Sequence, residues 1–168
     1  MIVLGIDPGI AIAGWAIVSE EKGKVKLLSS GAFTSTSKSS TAERLEMLSE
    51  NLSRLIKKEK LDAASLESLF FNTNAKTALI VGQARGVVQL ALSQQKIPII
   101  EYTPLQVKMA LTGYGRADKN QIQQMVKTIL NLPKILTPDD VADAAAIALT
   151  HCFSYKMKSS ILHTNFQS

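Results

Sequence analysis

Apolar positions along the chain fall first at strand spacing and then at helical spacing, which predicts an α/β protein. Ile2, Val3, Leu4 and Ile6 form a short apolar run closed by Pro8 and Gly9, a buried strand with Asp7 at its exit. A second apolar stretch from Ile10 to Val18 leads through a turn at 20–24 into a third from about Val25 to Phe33. There Val25, Leu27 and Ser29 alternate with Lys26 and Leu28. Three strands in succession with short connections make an antiparallel meander.

Helical periodicity begins at Ser40, which with Glu43 three residues later has the spacing of a capping box. Leu45, Leu48, Leu52, Leu55 and Ile56 then give one apolar stripe, with Lys57, Lys58 and Lys60 at the solvated end. A strand is expected over Ala63 to Phe71. Glu67 stands among its apolar residues, turned either to water by strand alternation or towards Asp7 from a neighbouring strand. Asn72 to Asn74 can cap a helix over 75–94, where Ala78, Gly82 and Gly86 recur every four residues. Each internal glycine costs about 1 kcal/mol relative to alanine, so this stripe is expected to pack closely, on the sheet or on a second subunit.

A fifth strand is expected over 97–102, and Thr103 with Pro104 starts a short helix that carries Lys108. The loop Gly113 to Ala117 precedes Asp118, which caps a helix bearing Ile122, Met125, Val126, Ile129 and Leu130. Lys119 falls in its first turn, where the helix dipole disfavours a cation. The last helix is predicted to start with Thr137 as N-cap and Pro138 at its first position, and to run to about Tyr155. Residues 156–168 lack periodicity and are expected to form a flexible tail behind one domain over 1–155.

Composition narrows this only a little. A chain of 168 residues with 46% hydrophobic content suffices for one core. A net charge of +5 favours an anionic partner weakly, nucleic acid being one candidate. Cys152 is the only cysteine, so no internal disulfide forms, and the first residues lack signal-peptide features; a reducing cytoplasm is the expected setting. No apolar run approaches the roughly 20 residues of a membrane span, so no membrane partner is expected.

Chemistry concentrates in carboxylates at the ends or interiors of apolar elements: Asp7, Glu67, Asp140 and Asp143. Asp143 precedes the apolar run Ala144 to Leu149. Asp140 shares its helix face at three residues and Asp139 at four, and both also suit the helix start, so spacing leaves the pairs open. Gathered without counterions these acids would repel one another. Divalent cations resolve the repulsion: carboxylates suit Mg²⁺ or Mn²⁺, and two ions about 3.5–4 Å apart can activate water and stabilise a leaving oxygen. His151 beside Cys152 is not a zinc set.

Gly5-Ile6-Asp7-Pro8-Gly9, Leu66-Glu67-Ser68-Leu69-Phe70, Gly82-Gln83-Ala84-Arg85-Gly86, Gln106-Val107-Lys108 and Val141-Ala142-Asp143-Ala144 through Thr150-His151-Cys152 together resemble the RuvC family of bacterial Holliday junction resolvases. The match is collinear to about Cys152. It implies a ribonuclease-H-like fold, a five-stranded mixed sheet flanked by helices, and a homodimer that nicks two like-polarity strands of a four-way DNA junction symmetrically. Such a hydrolase is a Mg²⁺-dependent crossover junction endodeoxyribonuclease of recombination and repair, and its cuts leave 5′-phosphate and 3′-hydroxyl ends. The resemblance makes Asp7, Glu67, Asp140 and Asp143 the catalytic metal ligands for two Mg²⁺, or Mn²⁺, per site, preferring Asp140 over Asp139. Phe70 matches an aromatic that stacks on a base near the junction centre, and Lys108 and Lys119 match basic positions near the scissile phosphate. Arg85 lies in a matching motif on a helix read as structural. A RuvA–RuvB branch-migration complex is the implied partner. The opening strand and turn also resemble the phosphate loop of actin-like kinases, which need two such domains, and 168 residues leave no room for them. Another ribonuclease-H-like nuclease and a non-catalytic junction-binding protein are the remaining alternatives.

Overall fold

The computed structural model describes residues 1–68 and 75–164, without the side chains of 75–77 and 156–164. The first apolar run forms β1 (Ile2–Asp7), and the meander continues as β2 (Ile12–Glu21) and β3 (Lys24–Thr34). Then follow α1 (Thr41–Lys58), β4 (Ala63–Glu67), α2 (Ala75–Gln94), β5 (Ile99–Tyr102), α3 (Pro104–Thr112), α4 (Lys119–Ile129) and α5 (Asp139–Thr164). The sheet order is β3-β2-β1-β4-β5. β1 pairs antiparallel with β2 and parallel with β4, and β4 pairs parallel with β5, so the sheet is mixed as expected.

The predicted helix starts form with complete capping boxes. Ser40 and Glu43 open α1, Thr103 and Gln106 open α3, and Asp118 and Gln121 open α4, each pair satisfying two backbone N–H groups of a first turn. Several boundaries differ from expectation: β2 runs on to Glu21 and β5 begins only at Ile99. β4 ends at Glu67, where its ladder with β5 stops, so Glu67 is a terminal and not a mid-strand residue; 69–71 lie outside the described residues. α5 begins at Asp139, so Thr137 and Pro138 precede it, joined by a cis peptide bond. Neither proline nor glycine follows Pro138, and α5 accordingly runs to Thr164, beyond the expected end at Tyr155.

Strand alternation sorts the core into two layers. Leu4 and Ile6 of β1, Ala13 and Ile17 of β2, and Ala64 and Leu66 of β4 pack with Leu48, Leu52 and Ile56 of α1 and Ala84, Val88 and Leu92 of α2. On the other face Val3, Ala16 and Val18 meet α5, with α3 and α4 behind it through Val107, Leu111, Ile122 and Val126. α5 presents Ala144, Ala145, Ala146 and Ala148 to this layer, and small residues bring its backbone down onto the sheet.

The contact is closest at two glycines. A Cβ on Gly5 would collide with the Ala144 carbonyl oxygen, and one on Gly14 with the Asp140 carbonyl oxygen. These glycines in strand interiors are therefore the places where another backbone touches the sheet. Gly5→Ala should force α5 off β1 and cost about 3 kcal/mol of stability, read by urea unfolding. A variant as stable as the parent would show that α5 does not need this approach.

Candidate active site

The first two acids meet through sheet geometry. Along β1 the alternation that turns Leu4 and Ile6 to α1 and α2 puts Val3, Gly5 and Asp7 on the α5 side. Along β4, Ala64 and Leu66 face α1 and α2, which leaves Glu67 on the side of Asp7. The parallel register Ile6 with Leu66 brings both acids to the carboxyl ends of neighbouring strands, where ligands bind in open α/β sheets. Of the two orientations open for Glu67, the fold adopts the one towards Asp7.

α5 contributes the other two. Gly14 is the cross-strand partner of Asp7, and the Asp140 carbonyl rests on Gly14, so the first turn of α5 sits over the end of β1. Burial, then the charges of Asp143, Asp140 and Glu67, push the Asp7 carboxyl up to about 7, against a smaller opposing effect of Lys119. Burial first, then Asp143, raises Glu67, with Lys108 and Arg85 acting in the opposite direction. Asp143 is raised chiefly by burial, although Lys119 pulls it down. Asp139 acts on the cluster through Asp143, which its charge raises together with that of Asp140. It is exposed, accepts from Gln123 Nε2 at 3.1 Å, lies 3.2 Å from Lys119 Nζ, and is held below the usual carboxylate range by those two partners.

The cation misplaced at the start of α4 finds its explanation here. Lys119 Nζ is 3.1 Å from Asp143 Oδ2 and bridges it to Asp139. Burial alone would lower the Lys119 ammonium, but bonds and charge from Asp143 and Asp139 raise it. Beside it opens a cavity of about 210 Å³ lined by Glu67, Lys108, Lys119 and Asp143 among polar groups, and by Val107, Ile122 and Ile147 among apolar ones. Two acids and two lysines thus share the lining of one cavity.

An all-carboxylate donor set fits a hard divalent cation, and the raised Asp7, Glu67 and Asp143 form a cluster that Lys119 and Lys108 only partly neutralise. Among the described residues no three His, Cys, Asp or Glu side chains are drawn into a finished metal cage. The acids stand in an open arrangement, with the Lys119 ammonium against Asp143. Asp7, Glu67, Asp140 and Asp143 are the residues able to hold such an ion.

Other candidates fall elsewhere. Phe70 lies outside the described residues. His151 and Cys152 are buried in the α5 layer; Tyr102 Oη is 2.8 Å from His151 Nδ1, and burial pushes the Cys152 thiol up to about 12. Arg85, taken from sequence as part of a structural helix, is buried and donates from Nη1 to the Glu67 backbone carbonyl. A guanidinium between the core residues Ala84 and Val88 was the available signal, because a buried cation must find partners.

Comparison with known proteins accords with this geometry. The family model for crossover junction endodeoxyribonuclease RuvC matches residues 3–151. A crossover junction endodeoxyribonuclease RuvC of Alkaliphilus oremlandii is 55% identical over 151 residues, covering 90% of this chain and 92% of the relative. One of Ruminiclostridium cellulolyticum is 51% identical over 166 residues, covering 99% of this chain and 100% of the relative. Among solved structures, Thermus thermophilus RuvC in complex with Holliday junction substrate matches with a TM-score of 0.90 at 34% identity, over 94% of this chain and 96% of that one. With a family model spanning most of its length and close relatives covering nearly all of it, this chain belongs to the RuvC family of crossover junction endodeoxyribonucleases.

Proposed function

We propose that this chain resolves four-way DNA junctions as a metal-dependent endonuclease, nicking two strands of like polarity and leaving 5′-phosphate and 3′-hydroxyl ends. The observation that carries this is the cluster at the strand ends: Asp7, pushed up to about 7, senses Asp143, Asp140 and Glu67, and two of those acids, Glu67 and Asp143, line a cavity with Lys108 and Lys119. A sequence-tolerant nuclease needs such a site, with negative charge for cations at its base and positive charge for phosphates at its edge. Membership of the RuvC family directs it to crossover junctions.

In this function Asp7, Glu67, Asp140 and Asp143 hold Mg²⁺, or Mn²⁺, with two ions per site. Bound there, the ions supply an activated water and charge stabilisation for the departing oxygen. Lys108 and Lys119 receive the phosphates that flank the cut, and Lys119 reaches them by releasing its bridge to Asp143 and Asp139. Asp139 then acts as an anchor for Lys119 rather than as a ligand. Phe70, in the segment between β4 and α2, stacks on a base near the junction centre. Residues 1–155 carry the nuclease, which works in the cytoplasm with a RuvA–RuvB complex. No helix among the described residues is long and apolar enough to cross a membrane.

A homodimer completes the function, and α2 offers a face for it. Leu79 and Leu90 are 66% and 60% exposed, and Gln83 and Gly86 lie between them on the same helical face. Among the described residues nothing comes within 4 Å of a Cβ on Gly82 or Gly86. That favours a second copy over the sheet as the partner of this stripe. A twofold dimer gives each strand of a twofold substrate its own site.

Asp7→Asn is expected to abolish nicking with Mg²⁺ while the junction Kd changes by less than about threefold, read by strand-mapped cleavage and gel shift. Unchanged cleavage would sink the metal-site assignment. Because the folded state raises the Asp7 pKa from 3.8 to about 7, folded protein holds this proton more tightly than the unfolded chain. Metal-free stability should therefore fall as pH rises from about 4 to about 7, by at most on the order of 4 kcal/mol. In EDTA at pH 8, Asp7→Asn should melt above the parent, and Mg²⁺ should stabilise the parent alone; thermal unfolding reads both. Gly86→Lys should give a folded monomer by sedimentation, with paired junction nicks replaced by single ones. A dimer that persists would place the interface elsewhere.

A further inference from the structure

Arg85 sits midway along α2 with its side chain only 8% exposed, on the helix side away from Leu79 and Leu90. Its Nη1 donates to the backbone carbonyl of Glu67. Its Nη2 lies 2.5 Å from Glu101 Oε1, off the angle of a hydrogen bond, so that contact is an ion pair. The same Glu101 oxygen accepts from Gln89 Nε2 at 3.0 Å, and Gln89 is one turn along α2 from Arg85. Glu101 in turn is on β5, opposite Leu66 in the parallel ladder. Two α2 side chains thus grip one carboxylate on β5, and one of them reaches across to the last residue of β4.

The place of that bond matters. β4 ends at Glu67, and among the described residues the last backbone link to β5 is Ser68 N–H to the Tyr102 carbonyl at 2.7 Å. The peptide group that leaves Glu67 is therefore held from both sides: its N–H, on Ser68, by β5, and its carbonyl by Arg85. A fixed peptide plane fixes the backbone angles of Glu67, and these aim its Cα–Cβ bond and so its carboxylate into the cavity. A core arginine is an expensive way merely to fill space, since aliphatic residues of similar volume often do so at lower cost. Its position is explained by what it holds.

We propose that Arg85 is a positioning residue for the nuclease reaction: seated on Glu101, it locks the Glu67 peptide group and so sets the direction of the Glu67 carboxylate. The proposal rests on the metal-site assignment above. Groups that orient metal ligands from behind typically change metal affinity or rate by about 10–100-fold when removed. Arg85 does so through the main chain, leaving the ligand itself in place.

The test compares the parent, Asp7→Asn, Arg85→Gln, Arg85→Lys and Glu101→Gln in single-turnover cleavage of a four-way junction across a Mg²⁺ titration, with junction Kd measured in EDTA and unfolding followed for each. Arg85→Gln should slow cleavage and raise the half-saturating Mg²⁺ by about tenfold or more, with Kd within about twofold. Arg85→Lys should recover part of the rate, and Glu101→Gln should show the same signature more weakly. A folded Arg85→Gln that cleaves at the parental rate and parental Mg²⁺ requirement overturns the proposal. If Arg85→Gln does not fold, parental behaviour of Glu101→Gln overturns it instead. Failure of the metal-site assignment looks different: the parent fails to cleave, or Asp7→Asn cleaves normally. Mn²⁺ titrated by calorimetry into parent and Arg85→Gln then decides, and equal affinity overturns the proposal.

Discussion

The approach of the α5 backbone to the sheet at Gly5 and Gly14 is the constraint on which the site depends. The Ala144 and Asp140 carbonyls rest where side chains would otherwise stand. That contact, lined by alanines along α5, brings the first turn of a helix down to the end of β1. Wider spacing would leave Asp140 and Asp143 apart from Asp7, and the acids would be ordinary solvated groups. The packing energy of the α5 layer is what holds like charges together, and it does so at the cost of a strongly perturbed Asp7.

Charge balance follows from that enforced proximity. The acids outnumber the cations near them, and Lys119 acts as an internal counterion shared between Asp143 and Asp139. Its unfavourable position at a helix N-terminus is offset by those two partners, so one local penalty is exchanged for relief of a larger one. In the proposed function such a site takes divalent cations on its acids and phosphates on its lysines. In the proposed function the same lysine serves both conditions, against Asp143 in the free protein and against the DNA backbone in the complex.

α2 has two faces with separate work. Ala84, Val88 and Leu92 pack on the sheet with Arg85 reaching past them to Glu67, while Leu79, Gln83, Gly86 and Leu90 stand outward. If the proposed dimer forms on its outward face, α2 links assembly to the geometry of Glu67 through one rigid element. The glycines that weaken it as an isolated helix lie on or beside its outward face, where no described residue approaches them.

The amino-acid sequence by itself determined the elements and the starts of α1, α3 and α4. Apolar periodicity is set by short-range geometry, and capping boxes at Ser40, Thr103 and Asp118 are local bonds that need no tertiary partner. The run of acids, and the motifs shared with the RuvC family, were legible for the same reason. Other features required the fold. Whether Glu67 faces water or Asp7 depends on the register of β4 against β1. The partners of Asp139, Lys119 and Gln123, arrive from α4 and so could not be read from spacing along α5. The work of Gly5, Gly14 and Arg85 is likewise invisible along the chain, because each acts on a residue far away in sequence. Local propensity decides what an element is; only packing between elements decides which carboxylates share a site.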